Sequence, residues 1–160
     1  MRFLMLLLIL VSVETFAADS TKLYNPTANV EMDVKAALMK AKRENKNVLI
    51  QVGGNWCIWC YRFNAFVEKD SLLRKTLEDN YVVYHLNYSK ENKNLSYLEK
   101  LGYPQRFGFP VMVVLDANGN RLHTQDSGLL EKEKSYDPDK VKNFFLNWSP
   151  SALNGSLYKE

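Results

Sequence analysis

Apolar residues recur along this chain at two different spacings, and the switches between them mark out its elements. From Asn29 onward Val30, Val34, Ala37, Leu38 and Ala41 share one face at helical spacing, and the polar stretch Lys42 to Asn47 ends the pattern. Val48-Leu49-Ile50-Gln51-Val52 is short and β-branched, which predicts a buried strand. Gly53-Gly54-Asn55 then turns the chain. Helical spacing resumes with Phe63, Phe66 and Val67. Asp70-Ser71 reads as a fresh N-cap, so a break and a second helix ending near Leu77 are predicted. Tyr81 to Asn87 is a second strand, and Asn94 is placed to cap a short helix carrying Leu95, Leu98 and Leu101, stopped by Gly102. Val111 to Leu115 is a third strand, Asp116-Ala117-Asn118-Gly119 a turn, and Arg121 to Gln125 a polar returning strand. Asp137-Pro138 opens a last helix, proline being tolerated in a first turn. Its stripe of Val141, Phe144, Phe145 and Trp148 reads as core.

The order is therefore helix, strand, helix, strand, helix, hairpin, helix. Strand–helix–strand units predict an α/β fold, with a central mixed β-sheet flanked by helices on both faces. The parallel strands should form its core and the late hairpin should add antiparallel edge strands. No repeat, low-complexity block or long linker divides the 160 residues, so residues 29–148 read as one domain. A polar lead-in, residues 18–28, precedes it, and residues 149–160 read as a loose C-terminal tail.

The N-terminus changes the picture of where the chain works. Met1-Arg2 is a basic start, Phe3 to Val13 an apolar run, and Thr15-Phe16-Ala17 puts small residues at a cleavage site. The run is shorter than the roughly 20 residues a membrane-spanning helix needs. Residues 1–17 are thus expected to be a signal peptide cut after Ala17, the alternative being an uncleaved anchor. No cysteine follows for a lipoprotein anchor. The mature protein is expected to be periplasmic or secreted, where disulfides form and shuffle. Leu157-Tyr158-Lys159-Glu160 is not an ER-retention signal, which favours a bacterial periplasm. The net charge is +3, and Arg2 and Glu14 cancel, so maturation leaves it unchanged. That mild surplus gives no warrant for nucleic acid or a membrane surface as partner. Nor is there a separate dimerisation region, so a monomer is expected.

The candidate chemistry lies in Trp56-Cys57-Ile58-Trp59-Cys60, which holds the only two cysteines. Two thiols three apart on the first turn of a helix can close a small disulfide. The first lies where unpaired backbone N–H groups and the helix dipole favour a thiolate. A purely structural disulfide would more often close a long loop, since that constrains the unfolded chain more. A zinc site needs about four ligands, and besides the cysteines the chain offers only His85 and His123, without paired spacing. A redox pair, an inert disulfide and a metal site all remain on the table, in that order. The first requires no cofactor beyond the Cys57–Cys60 pair itself, and no metal.

With these motifs in place, the chain resembles the thioredoxin superfamily. The resemblance rests on Trp56 to Cys60 after a strand, on Phe107-Gly108-Phe109-Pro110-Val111 about fifty residues later, and on the Asn118-Gly119 hairpin. It covers roughly Asn29 to Trp148. Within the superfamily it is most similar to the secreted group that includes the C-terminal domain of DsbD-type disulfide reductases. That resemblance implies a thioredoxin-like fold, Cys57 as a solvent-accessible attacking thiol and Cys60 as a buried resolving thiol. It implies Pro110 as a cis-proline facing the disulfide, and a client surface of Trp56, Trp59, Phe109 and Pro110. Two positions depart from it. Gln51 stands where thioredoxins often bury an acid, and Gln cannot shuttle a proton. Val111 follows the proline where Thr is usual. His85 lies about where a basic residue is common. It is a possible proton acceptor for Cys60 if its ring faces the pair, and otherwise a half-buried strand residue.

The resulting expectation is a thiol–disulfide oxidoreductase that reduces protein disulfides outside the cytosol. Ile58 and Trp59 bring no charge to the cysteines, which leans the pair towards a reductant. A reductase there needs electrons, and the chain has neither a nucleotide fingerprint nor a second cysteine pair, so a membrane electron donor of unknown identity is implied. The alternatives are a secreted client-binding module with little turnover, or an oxidase or isomerase.

Overall fold

The computed structural model describes residues 22–159; the expected signal peptide lies outside the described residues. The first helix, α1, spans Val30–Glu44. Asn29 caps it by accepting the Met32 N–H at 3.2 Å. Glu31 and Asp33 in its first turn and Lys42 and Arg43 in its last complement the helix dipole. Asn45 ends it in the left-handed region at φ 54°, a conformation asparagine tolerates. Then follow β1 (Asn47–Gly53), α2 (Ile58–Lys69), α3 (Ser71–Asn80), β2 (Tyr81–Asn87) and α4 (Leu95–Lys100). After these come β3 (Val111–Leu115), β4 (Arg121–Asp126), β5 (Glu131–Lys132), β6 (Ser135–Tyr136) and α5 (Pro138–Asn147).

The main sheet has four strands in the order β2-β1-β3-β4. β1 runs parallel to β2, while β3 is antiparallel to both β1 and β4. The hairpin therefore does not supply two edge strands, as its late position suggested. β3 lies inside the sheet and is buried along its whole length, as an all-apolar Val-Met-Val-Val-Leu run requires. Only the polar β4 forms the edge.

Alternation along the strands sorts the core into two layers. Val48, Ile50, Val52, Val111, Val113 and Leu115 face Val34, Ala41 and Leu98, from α1 and α4. Leu49, Met112 and Val114 face Phe63, Val67, Leu73, Val141, Phe144 and Phe145, from α2, α3 and α5. Helices thus cover both faces, and the stripe of α5 is core as its spacing predicts. The break at Asp70 is also found: its Oδ1 accepts the N–H groups of Leu72 and Leu73, starting α3 at once.

Two local expectations need correction. Asn94 does not cap α4 with its side chain; it sits at φ 51° and donates instead to the Asn87 carbonyl at 2.7 Å. The tail begins tied rather than loose, because Ser149 is buried with its hydroxyl on the Leu146 carbonyl at 2.8 Å. Beyond Ser151 it is mostly exposed, with a 3-10 turn at Gly155–Tyr158.

Candidate active site

β1 ends at Gly53, and the turn that follows delivers Cys57 to the N-cap of α2. Cys57 and Cys60 form a disulfide, with Cα atoms 5.3 Å apart. The Cys57 Sγ accepts the Cys60 N–H at 3.1 Å, so the sulfur occupies the place of a capping side-chain oxygen and meets one of the helix's orphan donors.

Sequence reasoning placed Cys57 in solvent and Cys60 inside. Cys60 is fully buried, but Cys57 is only 4 % exposed. In the disulfide its sulfur joins Cys60 and Tyr24 in a small cluster against which Leu23, Trp59 and Phe109 pack.

The Phe109–Pro110 bond is cis and Pro110 is buried. Phe109 meets the Trp56 ring edge-on at 5.2 Å and the Tyr88 ring at 4.9 Å. Trp56 is held by its indole N–H on the Tyr88 carbonyl at 2.7 Å while 58 % of its surface stays exposed. With Ile58, exposed inside the cysteine motif, Trp56 and Phe109 give the disulfide an apolar rim. A cleft of about 300 Å³ opens beside Trp56, lined among others by Pro26, Asn55, Ser89 and Lys90. Trp59 packs on both sides: against the cysteine cluster and, half-buried, edge-on to Tyr136 at 5.7 Å, with the Arg62 guanidinium 4.8 Å over its ring.

Behind the disulfide lies a residue that sequence reasoning missed. Tyr24 comes from the polar lead-in and is fully buried. Its hydroxyl accepts the Gln51 side-chain N–H at 2.8 Å. Its backbone is clamped by Asn55, whose Oδ1 accepts the Tyr24 N–H at 3.0 Å and whose Nδ2 donates to the Tyr24 carbonyl at 2.8 Å. Tyr61 from α2 donates its hydroxyl to the same Asn55 Oδ1 at 2.9 Å. A lone aromatic in a polar lead-in was the only trace of this in the sequence. Burial pushes the Tyr24 phenol well above its usual range, so it stays neutral.

His85 pairs in register with Gln51 across the β1–β2 ladder. Its ring packs edge-on against Tyr24 at 5.5 Å, and its Nε2 is buried without a hydrogen-bond partner among the described residues. Burial pushes its pKa down to about 4, which makes it a poor proton acceptor at neutral pH.

The chain matches the family described as Thioredoxin-like over residues 28–117. The chain belongs to the thioredoxin-like family. Comparison with curated proteins by sequence returns no match. Among solved structures, this thioredoxin-like chain is similar to a disulphide isomerase from Xylella fastidiosa Temecula1. That match has 24 % identity and a TM-score of 0.67, and covers 78 % of this chain and 94 % of the other. It is also similar to the DsbD C-terminal domain of Neisseria meningitidis. The oxidised form matches at 18 % identity and TM-score 0.55, over 76 % of this chain and 97 % of that one. The reduced form matches at 20 % and 0.54, over 74 % and 96 %. At these identities the likeness establishes the thioredoxin-like fold.

Proposed function

We propose that this thioredoxin-like protein is a thiol–disulfide oxidoreductase that reduces protein disulfides outside the cytosol. The observation that carries the reading is the Cys57–Cys60 disulfide at the N-cap of α2, with Phe109, the residue before the cis-proline, packed against it and Trp56 beside it. In the reduced protein the Cys57 thiolate, supported by the Cys60 N–H, attacks a client disulfide and forms a mixed disulfide. Cys60 then attacks the Cys57 sulfur, the Cys57–Cys60 bond forms, and the client leaves reduced. The apolar rim suits an extended, partly unfolded client rather than a charged small molecule.

The solved neighbours, one named as a disulphide isomerase and another as a DsbD C-terminal domain in its oxidised form, support thiol–disulfide exchange as the reaction. A membrane electron donor would recharge the pair. Insulin disulfide reduction tests the reading. Wild type should turn over, Cys57→Ser should abolish turnover, and Cys60→Ser should accumulate mixed disulfides. The near-burial of Cys57 favours a second reading, a client-binding module. Absent turnover in wild type, with client binding kept in both cysteine variants, would select it.

A further inference from the structure

We infer that the Tyr24 hydroxyl is a built-in hydrogen-bond donor to the Cys60 sulfur, stabilising its thiolate for the resolving step. The inference rests on the oxidoreductase reading and adds to it a residue from outside the cysteine motif.

Three observations converge. The Tyr24 hydroxyl and the Cys60 Sγ both crowd the same face of Gly53; a Cβ built there would collide with both, the hydroxyl at 2.6 Å. Only glycine lets them close over the end of β1. Second, the orientation of the hydroxyl is set. The Gln51 amide nitrogen lies 2.8 Å from the Tyr24 oxygen and 3.4 Å from the Cys60 carbonyl oxygen. A carbonyl only accepts, so the amide NH₂ faces this way and donates to the Tyr24 oxygen too. Tyr24 must then spend its own proton elsewhere. Third, among the described residues that proton has no acceptor in the disulfide form. Reduction turns the neighbouring Cys60 sulfur from a weak neutral acceptor into an ionisable one, to which a hydrogen bond is stronger.

Among the described residues, the groups facing Tyr24 bring no competing charge. The other titratable groups facing Tyr24 are His85 from β2, Tyr61 from α2 and Tyr136 near the end of β6. His85 is neutral at working pH, burial holds the Tyr136 phenol protonated, and the Tyr61 hydroxyl is engaged by Asn55. A buried thiolate without a donor would be strongly disfavoured. In the resolving step Cys60 first loses its proton to solvent. Its thiolate then displaces the client sulfur from Cys57, and the departing client thiolate regains a proton. Two electrons pass from the enzyme dithiol to the client disulfide, and the proton count closes.

The test uses the mature chain carrying Cys57→Ser, in which Cys60 is the sole thiol and no turnover is needed. Its ionisation is followed by thiolate absorbance at 240 nm. Adding Tyr24→Phe should raise the midpoint by about one pH unit, a tenfold change typical of one hydrogen bond to a charged group. With both cysteines present, release of thionitrobenzoate from its mixed disulfide with Cys57 reports the resolving rate. Tyr24→Phe leaves about tenfold less thiolate but a more nucleophilic one, so release should slow by only about threefold at neutral pH. A merely structural loss would not tie the two numbers together. Gln51→Met keeps Tyr24 but releases its hydroxyl, and should shift the midpoint the same way by a smaller amount; it carries the test if Tyr24→Phe does not fold. An unchanged midpoint in the folded variant overturns the inference. Wild type that reduces no insulin while the midpoint shift stands would overturn the oxidoreductase reading instead.

Discussion

Asn55 shows how much one side chain does here. It receives or donates three hydrogen bonds, joining the lead-in at Tyr24 to α2 at Tyr61 across the turn that carries the cysteines. Asn55→Ala leaves the partly buried Tyr24 N–H and carbonyl unpaired, at about 1–3 kcal/mol each before water fills in. Urea denaturation of the oxidised protein should show a loss of that order, with faster backbone amide exchange at Leu23 and Tyr24. His85 makes a pH prediction. Its pKa falls from 6.5 to about 4 in the folded chain, so between these values the unfolded state binds the extra proton. Stability from this group is full above about pH 6.5 and is lost as the pH falls through that window. The loss is at most about 3.5 kcal/mol, at roughly 1.4 kcal/mol per pH unit. His85→Gln should flatten the stability profile there, as measured by urea midpoints from pH 7 to 4. Unchanged curvature would assign the acid loss to other groups. The same value puts any His85 effect on thiol kinetics below neutrality.

At the scale of elements, the redox character rests on the α2 N-terminus. Cys57 is its N-cap, and the identified donor to its sulfur is the Cys60 N–H. Such a position is worth roughly 0.3–2 kcal/mol to an anion. With 30 mV equal to about 1.4 kcal/mol for a two-electron couple, the helix moves the potential by no more than about 40 mV. About 150 mV separates thioredoxin from DsbA. Ile58 points outward and Arg62 is engaged over Trp59, so neither adds a donor to the loop. Equilibration with glutathione should give a potential below about −200 mV. A value near −120 mV would make the protein an oxidant without altering its fold or its cysteine site.

For the whole molecule, the decisive arrangement is that three separate stretches meet above the ends of β1 and β3. The lead-in brings Tyr24, the β1–α2 turn brings the cysteines, and the segment before β3 brings Phe109 and Pro110. Among the described residues no helix is long and apolar enough to cross a membrane. Export with cleavage after Ala17 should leave Ala18 as the N-terminus of the protein recovered from a periplasmic extract, read by mass spectrometry. An intact Met1 in a membrane fraction would indicate an anchor instead.

The linear pattern was enough to read the main helices and strands of the domain and to single out the cysteine pair. Strand and helix periods, the Asp70 and Asp137 caps and the single cysteine pair are local signals, legible because each depends on residues a few positions apart. Tertiary structure decided what depends on distant contacts. β3 became an inner strand because its wholly apolar run had to be covered on both faces, and β4 was left at the edge. Cys57 lies in a cluster with Tyr24 and against Phe109, distant in the chain, which reach it only once the sheet has formed. Tyr24 stands 27 residues from Gln51 in the chain, and nothing in a polar lead-in announces a hydroxyl packed with the Cys60 sulfur against Gly53. Periodicity reports which face a residue takes on its own element; it carries no information about which distant side chain will be packed against that face.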